Sequence, residues 1–586
     1  MAAFDVVVTS AGDDDAAECP HESTCTLRKA IELINADMGE GPYTIMFHPD
    51  AFPTGGGAPA IQLESGPLPV VTKPDVSIDG GAGDVRLDGT LLAQGGEDGL
   101  ILTGERAVVR RVSIRGFGGT CLSLSGPDSL AQQVRAGGCG TGIAASGAGS
   151  RLLGNIVGFG TDSNLATVVT GILVAGSDVD VGDPGGGPSS ANIVGNAQVA
   201  VQIGAESAGS ISGVTVAGNI IGKAPSGNAS APVGIGVLIQ PPASGVSVTS
   251  NLVANVTGRG IVVSPDSEAG SSVANRLSDN RFESIGGMSV DLNGNGVREV
   301  NDSGDVDAGP NTLLNHPVIT RAVQSRIQGT ACAGCTVEIY LAEHFPGGEE
   351  DFGSTPLPGA ILTTGPTGAF EFDSPPVTPG QWLAAIAIDD EGNTSEFSPI
   401  ARVGAGVAQC GDVPLHAGWN LVGFFGQTSY PLGSIYPPGN GPESQVSAIY
   451  HLLDGSQNYQ AWFANGAAGR TLNDLESGEA YWMHAAEPAS VAGGFSLTVP
   501  LPVALQPGWN DFVYIGASAD VRDALASIAG SYTSVYRWSN TGDGTARWSS
   551  YYPGIPGWAQ GFTTMETCVA YSIFVSGPVT LTPLQP

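Results

Sequence analysis

A short phrase that recurs between about residues 140 and 315 constrains the fold of this chain more than any other feature. Each copy reads Gly-Asn-Ile-Val-Gly or a close variant and is followed by a second short apolar step. Equivalent positions lie 29 residues apart, from Gly142 to Gly171 and again from Gly260 to Ser289. A period of this length, made of short strands and turns, predicts a solenoid. The copies start at Gly154, Ala191, Gly218 and Ser250.

The repeat is typical of a parallel β-helix. Its strands would be three to five residues long, with aliphatic side chains pointing inward at every second position. One coil cannot bury that face, whereas stacked coils form a continuous apolar column. We expect the Asn of each copy at the sharp turn between sheets, in left-handed backbone geometry and hydrogen-bonded to the Asn of the next coil. The alternative, an antiparallel sandwich, has longer strands and no stacked Asn.

Length and charge bound the class of protein. A chain of 586 residues is too long for one domain, so three or four are expected. With 87 Gly, 40 Pro and only 13% charged residues, it is typical of a turn-dense β protein. The net charge of −34 argues against nucleic acid or an anionic membrane as a partner and favours divalent cations. The sequence has no run of 18 apolar residues, so no transmembrane segment is predicted.

Cysteine usage indicates the compartment. The eight cysteines fall into plausible pairs, which indicates disulfides and a secreted or cell-surface protein. A zinc site is the alternative, but no second CxxC or His pair completes a set of four ligands. The opening residues 1–8 are predicted as a first strand and not as a signal peptide. The pairs are Cys19/Cys25, Cys121/Cys139, Cys332/Cys335 and Cys410/Cys568.

The N-terminal residues are predicted to close the solenoid. Leu27, Ala30, Ile31 and Ile34 lie at helical spacing, and Thr24 or Thr26 would cap the helix. A solenoid end exposes its apolar core, so a short amphipathic helix across it is expected.

Two phrases carry a family resemblance. The segment 25–35, CTLRKAIELIN, resembles the "CSLREAI" opening of bacterial secreted and surface proteins with a right-handed parallel β-helix. The segment 307–319, DAGPNTLLNHPVI, is similar to the closing phrase of the same proteins. The resemblance implies a capped, right-handed β-helix over residues 1–317 and a secreted or surface-exposed protein. It implies no reaction.

Two further domains are predicted after the β-helix. Longer antiparallel strands and the phrase GNTSEFS at 392–398 resemble the Ig-like modules that follow such β-helices, so we assign 318–403 to an Ig-like β-sandwich. Residues 404–586 contain a duplication, about 410–500 and 501–586, because Gly418-Trp-Asn recurs 90 residues later at Gly508. These copies resemble the C-terminal "GWN" repeats of secreted bacterial proteins. Trp462 has an approximate partner in Trp548.

A calcium loop is predicted at the end of the solenoid. Oxygen ligands at positions 1, 3, 5, 7, 9 and 12, with Gly at position 6, are what a seven-coordinate Ca²⁺ loop requires. The alternative is a polar turn without metal. The residues at these positions are Asp291, Asn293, Asn295, Val297 through its carbonyl, Glu299 and Asp302, with Gly296 at position 6.

A catalytic site is not predicted. Many β-helices degrade acidic polysaccharides with clustered carboxylates and a basic residue. The best candidates, Asp178, Asp180 and Asp183, have no His nearby, and we interpret them as an acidic surface turn. Exposed aromatic residues such as Trp548, Tyr551 and Tyr552 could stack on sugars, whereas the repeated Trp419 and Trp509 are expected in the core.

These features together predict a non-enzymatic extracellular protein. The expected role is a structural or adhesive scaffold, such as a filament subunit, whose partners are other copies of itself or components of the cell surface. The alternative is a carbohydrate-active β-helix protein, either a polysaccharide lyase or hydrolase or a carbohydrate binder. A carboxylate pair in a groove along the solenoid would favour the enzyme.

Overall fold

Parallel sheets dominate the N-terminal half of the molecule. In the computed structural model, residues 4–292 coil repeatedly, and each strand pairs in parallel with its counterpart one coil later. The structure describes residues 4–584 with gaps at 15–18, 20–23, 55–58, 83–84, 93–95, 161–165, 184, 188, 206–208, 228, 266–271, 344–351, 405–407, 411–412, 426–429, 433–445, 454–455, 457, 465–468, 492–494 and 498–501.

Two sheets make the three faces of this β-helix. The first contains ten strands: Phe4–Val8, Tyr43–Phe47, Val76–Asp79, Val108–Arg110, Leu130–Gln132, Arg151–Leu153, Asp180–Val181, Thr215–Ala217, Ser247–Thr249 and Arg276–Ser278. The second contains seventeen strands in two columns, which join where Val233 pairs with Val256. These strands are Ala60–Gln62, Val85–Asp88, Leu100–Leu102, Val112–Arg115, Thr120–Leu124, Arg135–Gly137, Thr141–Ala145, Ile156–Val157, Val168–Val174, Ile193–Val194, Ala197–Ile203, Ile220–Ile221, Val233–Ile239, Leu252–Val256, Ile261–Val263, Arg281–Ile285 and Val290–Leu292.

The core is a stack of equivalent aliphatic residues. Each contacts its counterpart in the next coil, and each is at most 2% exposed. Burying one such side chain contributes about 1.5–3 kcal/mol relative to leaving it in water. One column runs through Ile143, Ile172, Val201, Val237, Ile261 and Val290.

The repeated Asn residues form the predicted ladder. In each step, Nδ2 of one Asn donates to Oδ1 of the Asn in the next coil at 2.9–3.0 Å. The ladder consists of Asn155, Asn192, Asn219, Asn251 and Asn280, all buried. The expected left-handed geometry of these Asn residues is wrong. Positive φ falls instead on the preceding residue, as at Gly154, Gly218 and Ser250, and the Asn side chain itself turns inward to satisfy the neighbouring backbone.

A helix closes the N-terminal end, as predicted. Leu27–Ala36 begins after Thr26, whose hydroxyl accepts from the Lys29 backbone N–H at 3.3 Å. The helix buries its apolar face in the same core cluster as the first coils. Arg28 is also buried, and its guanidinium donates to Asp13 at 2.8 Å and to the Pro67 carbonyl at 2.7 Å.

The middle of the chain contains antiparallel strands. Thr336–Glu343 pairs with Phe352–Thr363 on one side and with Trp382–Ile388 on the other. The strands here are Val318–Val323, Arg326–Thr330, Thr336–Glu343, Phe352–Thr363, Ala369–Asp373, Trp382–Ile388 and Ala401–Arg402.

The C-terminal region repeats one topology twice. The four-stranded antiparallel sheet of the first repeat recurs with the same strand order in the second. In order across the sheet, its strands are Gly418–Gly423, Ala480–Ala485, Val446–Leu452 and Tyr459–Phe463 in the first repeat, and Gly508–Tyr514, Val569–Val575, Tyr532–Asn540 and Ala546–Tyr551 in the second. The strands are Ala408–Cys410, Val413–Leu415, Gly418–Gly423, Tyr430–Pro431, Val446–Leu452, Tyr459–Phe463, Asp474–Leu475, Ala480–Ala485, Ala489–Val491, Phe495–Leu497, Val503–Leu505, Gly508–Tyr514, Ala519–Asp520, Tyr532–Asn540, Ala546–Tyr551, Thr564–Met565, Val569–Val575 and Val579–Leu581. The predicted all-β fold class is confirmed.

The remaining elements are short helices, and four disulfides are formed. The helices are Pro310–Leu313, Val521–Ala524, Ala526–Ile528 and Gly557–Ala559. The disulfides join Cys19 to Cys25, Cys121 to Cys139, Cys332 to Cys335 and Cys410 to Cys568. Within the described ranges, no helix is both long and apolar enough to cross a membrane.

The chain forms two compact units. One contains residues 1–320, 328–371 and 382–400, and the other contains 321–327, 372–381 and 401–586. The domain boundaries predicted after residues 317 and 403 stay predictions.

Candidate functional site

The best candidate site is an aromatic pocket inside the duplicated C-terminal region. The pocket has a volume of about 370 Å³, which is in the range of small-ligand sites. The first repeat contributes two aromatic residues and one leucine, and the second repeat contributes the other five residues. The lining residues are Leu452, Tyr459 and Trp482 from the first repeat, and Trp509, Asp511, Tyr536, Trp548 and Ser572 from the second.

The strand register explains how these side chains meet. Leu421 pairs with Trp482 in the first repeat, and Asp511 pairs with Ser572 at the equivalent place in the second. Asp511 therefore stands where the first repeat has an apolar residue. Ser572 likewise stands where the first repeat has Trp482, so both members of this strand pair differ between the repeats.

Asp511 forms the polar floor of the pocket. It is 5% exposed, and its Oδ2 accepts from the indole Nε1 of Trp482 at 3.1 Å. Its Oδ1 accepts from the hydroxyl of Ser572. Because a buried carboxylate is costly unless its oxygens are bonded, these two donors hold Asp511 in one orientation.

The rings pack edge to face around this floor. The centroids of Trp482 and Trp548 lie 5.5 Å apart with an interplanar angle of 68°, and those of Tyr536 and Trp548 lie 5.9 Å apart at 88°. Trp509 and Tyr536 are 5.5 Å apart at 63°. Such contacts fix the rings against one another, while Trp548 keeps 44% of its surface exposed. The pocket thus has rigid walls and an open mouth.

Several sequence-based expectations about aromatic residues are corrected here. Trp419 is 38% exposed, so it is not a core residue. Trp509 lines the pocket and is half-buried. The structural counterpart of Trp462 is Tyr551, because each faces the same position of the adjacent strand, and both are buried. Tyr459 is the counterpart of Trp548.

Asp511 was missed by the analysis of the sequence alone. The phrase Gly-Trp-Asn is repeated with its structural role, since Asn420 and Asn510 make the same bonds to the backbone. The next residue is Leu421 in one copy and Asp511 in the other. A buried position that changes from apolar to acidic between two repeats was the signal available.

The described walls of the groove along the β-helix contain no charged side chain. The groove has a volume of about 960 Å³ and crosses several coils from Phe117 to Thr257. Its described lining consists of Gly, Val, Ala and other uncharged residues, together with the disulfide-bonded Cys139. General acid–base chemistry needs a titratable side chain in reach of the reacting bond. The described walls of this groove supply none.

The acidic segment in the solenoid lies at the surface, as interpreted from the sequence, but only Asp178 and Asp183 are in turns, because Asp180 belongs to the strand Asp180–Val181. Asp178 is exposed and has a positive φ. Asp180 is half exposed and lies 3.6 Å from Arg151 of the preceding coil. Asp183 accepts from the Gly185 backbone N–H, as turn residues do.

The six residues of the predicted calcium loop lie in two groups. Asn293 and Asn295 both donate to Oε1 of Glu299 at 2.8 Å. Asp302 instead lies beside Asp305 and Asp307, with carboxylate oxygens within 4.8 Å of one another. Val297 is 61% exposed.

Asp291, the first residue of that loop, is fully buried. Its Oδ2 lies 2.5 Å from Nε of Arg259 and accepts from the Gly296 N–H, whereas no partner is found for its Oδ1. Burial raises the pKa of Asp291, and Arg259 opposes that rise. An orphaned buried carboxylate oxygen fits a cation ligand, although Arg259 already supplies one positive charge.

Glu396 is a second buried acid at this end of the β-helix. Its two oxygens accept from the backbone N–H groups of Leu292 at 2.8 Å and Glu299 at 2.7 Å. Burial raises the pKa of Glu396 to about 8, and the neighbouring carboxylate of Asp291 adds to the rise. The side chain is 2% exposed, so it holds the loop in place and does not face a substrate.

Comparison with known proteins gives structural neighbours only. No family model matches the sequence, and neither does any curated protein. Among solved structures, the Dettilon tailspike protein is similar over 82% of this chain and 93% of its own, with 14% identity and a TM-score of 0.31.

Two other structures were solved with saccharides. A tailspike mutant of E. coli bacteriophage HK620 in complex with pentasaccharide is 12% identical over 59% of this chain and 73% of its own, with a TM-score of 0.23. The catalytic domain of a GH87 alpha-1,3-glucanase in complex with tetrasaccharides is 11% identical over 44% of this chain and 54% of its own, with a TM-score of 0.20. The named neighbours are tailspikes and a glucanase and not structural or adhesive scaffolds, so the expected non-enzymatic scaffold role is corrected and is not carried further.

Proposed function

We propose that this chain is a carbohydrate-active β-helix protein that binds a saccharide in the aromatic pocket of its C-terminal repeats. One observation carries the proposal: three tryptophans and two tyrosines surround a single buried carboxylate in an open pocket of about 370 Å³. The faces of sugar rings carry C–H groups that pack against aromatic rings, and their hydroxyls need hydrogen-bond acceptors.

Each part of the pocket has a distinct task in this proposal. Trp548, with its exposed surface at the mouth, packs against the sugar face. Asp511, whose oxygens also accept from Trp482 and Ser572, supplies the carboxylate to which a sugar hydroxyl donates. Rigid rings lose little conformational freedom on binding, which favours affinity.

The pocket supports binding and not cleavage. Glycoside hydrolysis ordinarily uses two carboxyl groups, roughly 5–9.5 Å apart, on either side of the scissile bond. Among the described lining residues, Asp511 is the one acid. The net charge of −34 further disfavours polyanionic glycans, so the preferred ligands are uncharged or cationic saccharides.

A glycan array probed with the wild type and two variants tests this function. Trp548→Ala removes the exposed ring of the pocket and is expected to weaken binding about tenfold, which corresponds to ~1.4 kcal/mol. Trp558→Ala is the matched control, because Trp558 is 89% exposed and does not line the pocket. If the wild type retains no glycan, or if both variants bind as the wild type does, the proposal is wrong.

We also propose a structural Ca²⁺ at the end of the β-helix. Its support is the orphaned Oδ1 of Asp291 and the carboxylates of Asp302, Asp305 and Asp307. Burial raises the pKa values of Asp305 and Asp307, and neighbouring acids add to the rise. A divalent cation would relieve this repulsion.

We propose a secreted location and the family suggested by the sequence phrases at 25–35 and 307–319. Disulfides in both compact units support an oxidising compartment.

A further inference from the structure

We infer that the aromatic pocket takes a quaternary ammonium group, such as the trimethylammonium of a choline-type substituent on a glycan. The inference rests on the proposed function for the place of binding and adds the chemical class of the ligand. It follows from the number of rings, the charge of the floor and the hydrogen-bonding capacity of the walls.

The rings offer a favourable surface for a cation from several directions. Tyr459, Trp482, Trp509, Tyr536 and Trp548 all line one pocket, and adjacent pairs are tilted by 63–88°. Mutually tilted rings form a concave cage instead of a flat platform. The face of an aromatic ring is electronegative, so it attracts a desolvated cation that lies within about 6 Å of its centroid.

The charge of the pocket is negative. Asp511 supplies the carboxylate at its floor, and the described lining includes no Lys, Arg or His. The protein as a whole carries a net charge of −34. Both the local and the overall field therefore concentrate cations and repel anions.

The hydrogen-bonding capacity of the walls selects a quaternary ammonium over a primary one. An –NH₃⁺ group has three donors that need acceptors once it leaves water. The pocket offers Asp511, whose oxygens already accept from Trp482 and Ser572, and the hydroxyl of Tyr536 is bonded to Tyr552 at 2.6 Å. A trimethylammonium group has no N–H donor, and its methyl groups pack directly against the rings.

Titration of tryptophan fluorescence with choline and with its neutral isostere, 3,3-dimethylbutan-1-ol, tests the inference in the full chain. The two probes have the same shape and differ by one positive charge. We expect saturable binding of choline, at least about tenfold tighter than that of the alcohol. Trp548→Ala should abolish this preference, and Trp558→Ala should preserve it.

Asp511→Asn isolates the charge. It keeps the size of the side chain, and the Ser572 hydroxyl can turn to accept from the new amide. Choline binding should fall at least fivefold, with binding of the alcohol unchanged. Equal affinity for the two probes in the wild type overturns the inference.

A competition experiment separates this inference from the proposed function. If a neutral glycan binds at the pocket and choline does not displace it, the inference is wrong and carbohydrate binding stands. If choline binds with the expected charge preference and no glycan binds, the inference on the ammonium group stands and the proposed saccharide function is wrong. If neither binds, both are wrong.

Discussion

The coil stack and the C-terminal repeats use repetition in opposite ways. In the β-helix, the same Asn recurs at each coil, and its amide is satisfied by the next copy, as in the 2.9 Å bond from Asn192 to Asn219. In the C-terminal repeats, one buried position holds Leu421 in the first copy and Asp511 in the second. The Asn residues that recur together with their hydrogen-bond partners stabilise the fold, whereas Asp511, which differs from its counterpart Leu421, lines the pocket.

Both regions also use buried Asn side chains that hydrogen-bond to the backbone. Asn420 and Asn510 share two equivalent backbone carbonyl acceptors and one equivalent backbone N–H donor, and Asn420 also donates to the Met483 carbonyl at 3.4 Å. Like the ladder, these Asn residues are buried and conserved in role. The exchange of Leu421 for Asp511 comes directly after this shared Asn in the chain.

The largest expected effect comes from breaking the ladder. Asn219→Ala removes the acceptor of the Asn192 amide and the donor to the Asn251 side chain and the Val181 carbonyl. Leaving such buried groups unsatisfied costs about 1–3 kcal/mol each, so the free energy of unfolding should fall by roughly 3–5 kcal/mol. Urea unfolding measures this change. Gln198→Ala, an exposed amide on a neighbouring strand, should change it by less than about 0.5 kcal/mol; equal losses would contradict the account.

The next largest effect concerns the buried Glu396 at the end of the β-helix, which should make stability depend on pH. Glu396 has a folded-state pKa of about 8, above its ordinary value of 4.5, because it is buried. Between these two pH values the folded state holds a proton that the unfolded state releases, so stability must fall as pH rises. The slope should approach ~1.4 kcal/mol per pH unit. Unfolding measured between pH 5 and 8 should show this slope in the wild type and a flatter one in Glu396→Gln; identical slopes would contradict the burial argument.

A smaller effect comes from making the repeats alike. Asp511→Leu gives the second repeat the residue that the first repeat holds at the equivalent position. Glycan affinity should fall about tenfold, because the acceptor at the pocket floor is lost, which corresponds to ~1.4 kcal/mol. Thermal unfolding serves as the control for folding. Unchanged affinity would show that the divergence between repeats does not make the site.

The smallest effect is that of calcium. At a free Ca²⁺ concentration roughly ten times its Kd, binding stabilises the folded state by ~1.4 kcal/mol, so a chelator should lower the unfolding temperature slightly. Asp302→Asn should abolish the shift, and Asp178→Asn, in an exposed turn, should retain it. A wild type that is indifferent to chelation would refute the calcium proposal.

The ladder and the coils could be predicted from the sequence because their signal is periodic. A local phrase repeated at one coil length defines both the strand and its neighbour, as with Asn155 and Asn192. The contacts at the C-terminal end of the coil stack could be predicted from the sequence only in part. The phrase at 392–398 was recognised as a motif, but only the structure shows that Thr394 bonds the Leu277 backbone and Glu396 that of Leu292.

The pocket could not be assembled from sequence, since its residues come from seven strands of two repeats. Trp482 and Asp511 meet through strand pairing that no local pattern specifies. The expectation that Trp509 is a core residue failed for the same reason, because its neighbours in the pocket come from other strands.

The central claim is that saccharide binds among these rings, and fluorine NMR of 5-fluorotryptophan-labelled protein tests it most directly. The chain has eight tryptophans, so eight resonances can be assigned by substitution. Titration with a glycan that the array identifies as a ligand should shift the resonances of Trp482, Trp509 and Trp548. The resonances of Trp382 and Trp558 should stay unchanged. Shifts that spare all three pocket tryptophans, or that appear equally at Trp558, would contradict the claim.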